Sequence, residues 1–182
     1  PRSLPALGGD VLQLGYLGYM RRDKGFFFLL QALEALPSET LRKIGLTVAA
    51  GKSDPATTTR LERLGKRLGD FTYLNGYTHD TLDQILTGVD VGVITGQWED
   101  NLPQVAIEMH ARHIPLLTSD LGGAQELSGF KDMIFRSDDI EDFHNKIAML
   151  VDDGLAVEKY WAGAMAPVSM DDHIEEILTF YR

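Results

Sequence analysis

The chain has 182 residues, which suits one domain, since about 150 residues already bury roughly 70% of the unfolded surface. With 44% hydrophobic and 24% charged residues it has the composition of a soluble globular protein, and no run approaches the ~20 apolar residues of a membrane span. A net charge of −10 argues against a nucleic-acid partner, which needs a basic surface, but not against a small phosphate ligand held by a few local donors.

The chain contains no cysteine, so disulfides and cysteine-based zinc sites are excluded. The cytoplasm is the default compartment. Pro1-Arg2-Ser3-Leu4 shows no basic region leading into an apolar core, so no signal peptide is expected. The missing initiator Met suggests a fragment of a longer protein.

Short apolar runs alternate with amphipathic segments. Val11–Leu17 reads as a strand and Lys24–Leu36 as a helix stopped by Pro37. Ile44–Ala50 is β-rich, and Pro55–Leu68 has helical spacing with Leu61, Leu64 and Leu68 on one face. Phe71–Leu74 is a short strand and Thr81–Gly88 a short helix. Val89–Thr95, apolar but for Asp90 and the closing Thr95, reads as a strand buried on both faces. Pro103–His113 is a helix, Pro115–Thr118 a strand, Ala124–Leu127 a helical turn and Met133–Phe135 a last strand. Ile140–Val151, Ala156–Met165 and Met170–Tyr181 read as closing helices. Ile174, Ile177, Leu178 and Tyr181 form an apolar stripe that either packs on the sheet or faces an absent domain.

Alternating β and α elements imply an α/β fold: a doubly wound, mostly parallel six-stranded sheet with helices on both faces, Rossmann-like, in the order 3-2-1-4-5-6. Ligands of such sheets bind beyond the carboxyl ends of the strands, where the order reverses. Three loops should therefore share one crevice: Gly18–Asp23, Gly96–Leu102 and Ser119–Gly123.

The first loop carries Arg21, Arg22 and Lys24 into a helix N-terminus, a combination that suits a phosphate. On charge alone it reads more readily as a solvated basic turn with Asp23 as N-cap. The second loop holds Asp100, and Glu108 lies eight residues on, about two helical turns along the next helix. Both carboxylates can face one ligand and accept hydrogen bonds from sugar hydroxyls, or they are ordinary surface acids. In the third loop Gly122 and Gly123 either admit a ligand to the backbone or simply make a tight turn.

Other signals fail. Gly51-Lys52-Ser53 has Leu46 where a phosphate loop needs its first glycine. Gly15-Tyr16-Leu17-Gly18 lacks the glycine order of a dinucleotide site. His110 and His113 share one helix with no third ligand nearby, so they read as ordinary helix histidines and no metal site is expected.

Taken together, the motifs resemble those of the group 1 glycosyltransferases, family 4, whose enzymes have the two-domain GT-B fold. The resemblance runs from about Val11 to Tyr181 and concerns only the C-terminal, donor-binding domain. Gly18 to Lys24-Gly25 is similar to the first donor loop. Trp98-Glu99-Asp100-Asn101-Leu102-Pro103 through Glu108 is similar to the Glu-x7-Glu motif. His113-Ile114-Pro115-Leu116-Leu117-Thr118-Ser119-Asp120-Leu121-Gly122-Gly123-Ala124-Gln125-Glu126 is similar to the Gly-x-Pro-Val-Val-x-Ser-Asp-x-Gly-Gly-x-x-Glu segment.

The resemblance implies residues 1–182 as one nucleotide-sugar-binding domain, with the N-terminal acceptor domain missing. It implies Lys24 on the donor phosphates, Glu108 on the ribose hydroxyls and Asp100 on the donor sugar. Gly18, Tyr19, Arg21, Arg22, Gly122, Gly123 and the backbone near Asn101 and Leu102 would complete the site. Transfer would be retaining and metal-independent, with no cofactor beyond a nucleoside-diphosphate sugar, and this chain alone would be inactive. The missing domain would carry any peripheral membrane contact. Three positions depart from the pattern: Tyr19 replaces an Arg, Asp100 a Glu and His113 a Gly. The first two keep two alternatives open, a non-catalytic nucleotide-sugar-binding module and a sugar-nucleotide epimerase of the GT-B fold.

Overall fold

The computed structural model describes residues 11–51, 54–152, 155–166 and 170–180. Lys52 and Ser53 of the rejected phosphate loop and Tyr181 of the closing stripe lie outside these residues.

Six parallel strands are hydrogen-bonded in the order β3-β2-β1-β4-β5-β6, the Rossmann-like arrangement expected from the alternation. β1 (Leu12–Tyr19) leads to α1 (Phe26–Glu34), the short α2 (Ser38–Leu41) and β2 (Ile44–Gly51). α3 (Pro55–Gly65) and β3 (Asp70–Leu74) follow, then a 3-10 turn, His79–Thr81, running into α4 (Leu82–Ile85). The second half consists of β4 (Val91–Ile94), α5 (Gln104–His110), β5 (Leu116–Ser119), two 3-10 turns, β6 (Ile134–Phe135), α6 (Ile140–Asp152), α7 (Leu155–Gly163) and α8 (Met170–Phe180).

The central strands are buried on both faces because helices cover both. Every residue of β4 and β5 is buried, as parallel strands between helical layers must be. β3, at the sheet edge, alternates exposed and half-buried positions. Helices dock through stripes at helical spacing: Leu61 and Leu64 in α3 and Phe143, Ile147 and Leu150 in α6 are buried. Asp54 caps α3, accepting from the Ala56 and Thr57 N–H groups, and its carboxyl is held below the ordinary value, chiefly by the Thr57 hydroxyl and amide.

Several boundaries differ from the sequence reading. α1 begins at Phe26 rather than Lys24, because Gly25 at φ 71° cannot be helical. Asp23 therefore does not cap it. Gly18 and Tyr19 are still paired in β1, opposite Ala50 and Gly51, so the first loop starts two residues later than expected. His113 has φ 58°, a left-handed conformation in the turn after α5 that glycine adopts without cost. This is a physical reason for Gly at that position in the resembled pattern. The His113 ring packs edge-on against Trp161, centroids 5.5 Å apart.

α8 does not pack on the sheet: residues 171–180 are all exposed, with Ile174, Ile177, Leu178 and Phe180 among them. Among the described residues no helix is long and apolar enough to cross a membrane.

Candidate functional site

A cavity of about 500 Å³ opens at the carboxyl edge of the sheet, within the usual range for a small-molecule site. Its floor is Leu17 and Gly18 of β1 and Val93 and Ile94 of β4, the two strands between which the order reverses. Its walls are Tyr19 at the end of β1, Asp23 and Lys24 from the first loop, Trp98, Asp100 and Leu102 from the second, and Gln104 and Glu108 from α5. The loop after β3 adds Gly76, Tyr77, Thr78 and His79.

Two close backbone approaches fix these loops to each other. A Cβ on Gly25 would stand 1.4 Å from the Thr95 carbonyl oxygen, so only glycine lets the first loop lie on the end of β4. The buried Thr95 hydroxyl donates back to the Gly25 carbonyl at 3.0 Å. The Tyr16 hydroxyl donates to the Tyr19 carbonyl at 2.9 Å and lies 3.3 Å from that of Lys24. Burial, aided by the charge of Asp23, raises the pKa of that hydroxyl well above the ordinary phenol range and keeps its proton in place.

Gly122 and Gly123 make the second approach. Added Cβ atoms would meet the Asp100 carbonyl oxygen at 2.2 Å and that of Asn101 at 1.8 Å, and the Gly123 N–H donates to the Asp100 carbonyl at 3.0 Å. These two glycines thus face the second loop and hold it in place, whereas Leu121 is the residue of the third loop that reaches the cavity.

The charged groups are arranged in two clusters. Lys24 Nζ lies 2.8 Å from Asp100 Oδ2, with both side chains about 40% exposed. So exposed a pair is worth about 0–1 kcal/mol, little enough for an incoming phosphate to displace. Glu108 is the opposite case, its side chain only 10% exposed. Gln104 Nε2 donates to its Oε1 at 3.0 Å, and His79 Nδ1 stands 3.3 Å from the same oxygen. The Tyr77 hydroxyl reaches Oε2 at 3.5 Å. Burial, then the Glu108 charge and hydrogen bond, push the Tyr77 pKa up to about 12, so this phenol remains a donor to the carboxylate.

Of the residues singled out from sequence, Gly18, Tyr19, Lys24, Asp100, Leu102 and Glu108 share the one cavity. Arg21, Arg22 and Asn101 instead line a shallower neighbouring depression. Arg21 pairs with Asp23 at 2.9 Å and Arg22 sits 6.0 Å over the Phe27 ring, so neither extends the positive charge of Lys24 inside the cavity. His110 turns away from the site: its Nε2–H donates to the Met165 carbonyl at 2.7 Å and its Nδ1 accepts from the Tyr160 hydroxyl at 2.9 Å. Tyr77, His79 and Gln104 were missed from sequence. Gln104 carried a signal, four residues before Glu108 on the same helix face. The loop after β3 carried none.

Residues 11–153 match the family model for glycosyl transferases group 1. The chain belongs to this family. Its fold agrees with solved GT-B glycosyltransferases. Sucrose-phosphate synthase from Thermosynechococcus elongatus superimposes with a TM-score of 0.69 at 22% identity, over 95% of this chain and 45% of that one. TarM of S. aureus, solved with Fondaparinux, alpha-GlcNAc-glycerol and UDP, gives 0.71 at 16% identity, over 95% and 36%. HepE of Anabaena in complex with UDP-glucose gives 0.67 at 18%, over 86% and 43%. The group 1 chain described here thus spans less than half the length of each. Comparison with curated protein sequences gives no significant match.

Proposed function

We propose that this chain is the donor-binding domain of a retaining, metal-independent glycosyltransferase, and that its cavity holds a nucleoside-diphosphate sugar. The observation that carries the reading is the placement of Lys24 and Glu108 on walls of one cavity. A cation on one wall and a carboxylate on another suit a molecule with a diphosphate and a vicinal diol.

Lys24 takes the diphosphate, exchanging Asp100 for it. As the bond from the anomeric carbon to the diphosphate breaks, negative charge grows on the leaving oxygens, and a fixed ammonium beside them lowers the barrier. Glu108 accepts from the ribose hydroxyls, and Tyr77 and Gln104 orient its carboxylate. Asp100, released from Lys24, accepts from the hydroxyls of the sugar being transferred. The HepE and TarM structures, which contain UDP-glucose and UDP respectively, support a uridine nucleotide as the first ligand to try.

The acceptor site falls mainly on a separate N-terminal domain that packs against the apolar stripe of α8. The chain alone then binds nucleotide but transfers no sugar. Titration with UDP, GDP and ADP tests the donor reading: saturable binding of one is expected, and binding of none at millimolar concentration contradicts it. Measurable transfer by the isolated chain contradicts the division of labour.

A further inference from the structure

One part of the second loop has no task in the donor site. Trp98 is 70% exposed, although the backbone around it is fixed. Ser119 Oγ donates to the Gly96 carbonyl at 2.9 Å, the Gln97 N–H to the Asp23 carbonyl at 3.0 Å and the Asp100 N–H to Trp98's own carbonyl at 2.9 Å. A firmly held loop thus keeps a large aromatic face in water, where its apolar area is unfavourable at about 25 cal/mol per Å². An aromatic ring with an apolar face and a polar N–H, set beside convergent polar groups, suits a small-molecule binding surface.

The indole stands on a rim between two hollows. On one side is the donor cavity. On the other is a depression of about 710 Å³. Asp23, Lys24, Trp98 and Asp100 line both, so the Lys24–Asp100 pair forms part of the partition. Arg21, Arg22, Glu99 and Asn101 complete the second hollow.

Charge decides what this hollow can take. Its three cations face three carboxylates. Arg21 is engaged with Asp23 at 2.9 Å, Lys24 pairs with Asp100 or turns to the donor diphosphate, and the six groups together carry no net positive charge. A phosphate or other anionic group finds no surplus positive charge. What remains is a balanced set of hydrogen-bond donors and acceptors around one flat apolar face. This matches a pyranose ring, whose C–H face can lie on an indole while its hydroxyls meet the charged groups.

We propose that the hollow is an acceptor subsite for a neutral sugar ring, with Trp98 as the stacking platform and Arg22 and Glu99 as hydroxyl partners. The proposal rests on the donor reading, because only then does the partition lie between the sugar given and the sugar receiving it.

Saturation-transfer NMR on the chain with UDP, using methyl α-glucopyranoside as probe, tests it. The sugar protons should receive magnetisation from the protein. Trp98→Ala should abolish the transfer and Trp98→Phe retain part of it. Glu99→Gln, which alters the second hollow alone, should reduce it severalfold, and glucose 6-phosphate should compete no better than glucose. UDP affinity in the same samples reports whether the donor cavity is intact. Signals that survive both Trp98→Ala and Glu99→Gln, preferential binding of the phosphorylated sugar, or silence from a wild-type chain that binds UDP would each overturn the subsite. Trp98-dependent signals from a chain that does not bind UDP would keep the sugar site and remove the donor reading.

Discussion

Replacing Gly25 by alanine should damage stability and nucleotide binding together. Two costs can be worked from the structure. The residue has φ 71°, and an L side chain there costs roughly 1–2 kcal/mol. Its new Cβ would stand 1.4 Å from the Thr95 carbonyl oxygen and 2.3 Å from the carbonyl carbon, where real Cβ atoms essentially never approach within 3.0 Å. Thr95 is fully buried at the end of β4 and has little room to yield, so the first loop must move, and overpacking of this kind costs about 1–3 kcal/mol. The total of about 2–5 kcal/mol is a large part of the roughly 5–15 kcal/mol that holds a domain folded. With a mid-range urea slope of about 2 kcal/mol per M, the midpoint should fall by about 1–2.5 M. Lys24 moves with its neighbour, so nucleotide affinity should drop under conditions where the variant is still folded. Gly51→Ala is the stability control: among the described residues its nearest neighbour would be 4.0 Å away, and its effect on stability should stay within about 0.5 kcal/mol. A Gly25→Ala protein with the midpoint of Gly51→Ala and the nucleotide affinity of the wild type would refute the reasoning.

Glu108→Gln should weaken nucleoside-diphosphate binding by about 1.5–3 kcal/mol, the value of hydrogen bonds to a charged group. Calorimetry should also show that the variant no longer distinguishes a ribonucleotide from its 2′-deoxy analogue. His110→Ala removes the acceptor of the buried Tyr160 hydroxyl and the donor to the Met165 carbonyl. Urea melts should show a loss of about 2–4 kcal/mol. Burial raises the Asp90 pKa despite the hydrogen bond it accepts from the Gln13 N–H. Because the folded chain holds that proton more tightly than the unfolded one, the favourable contribution is present in acid and is lost as pH rises through the folded pKa. Asp90→Asn keeps an acceptor for Gln13 and should therefore raise the melting temperature at neutral pH, a gain that vanishes below the ordinary carboxylate range.

The strand order was legible because short β-rich runs alternate with amphipathic helices along the chain, a pattern that parallel strands between helical layers produce. That order alone gathers the loops after β1 and β4. The pairing of Lys24 with Glu108 in one cavity was legible for the same reason. Tyr77 and His79 were not, since they follow edge strand β3 and reach the cavity only through tertiary packing. The loop-to-loop contact of the glycines was not legible either: Gly122 and Gly123 touch Asp100 and Asn101, a contact across 22 residues that no local pattern records. Arg21 and Arg22 lie beside Lys24 in sequence, yet their side chains turn to Asp23 and Phe27. Sequence proximity cannot tell which way a side chain leaves a loop.

A crystal structure of the chain with its preferred nucleoside diphosphate tests the central claim most directly. The expected result is a single nucleotide spanning the cavity, phosphate oxygens at Lys24 Nζ and ribose hydroxyls at the Glu108 carboxylate. A nucleotide seated elsewhere, such as the groove between β3 and α4 lined by Thr47, Thr72 and Gln84, would contradict it.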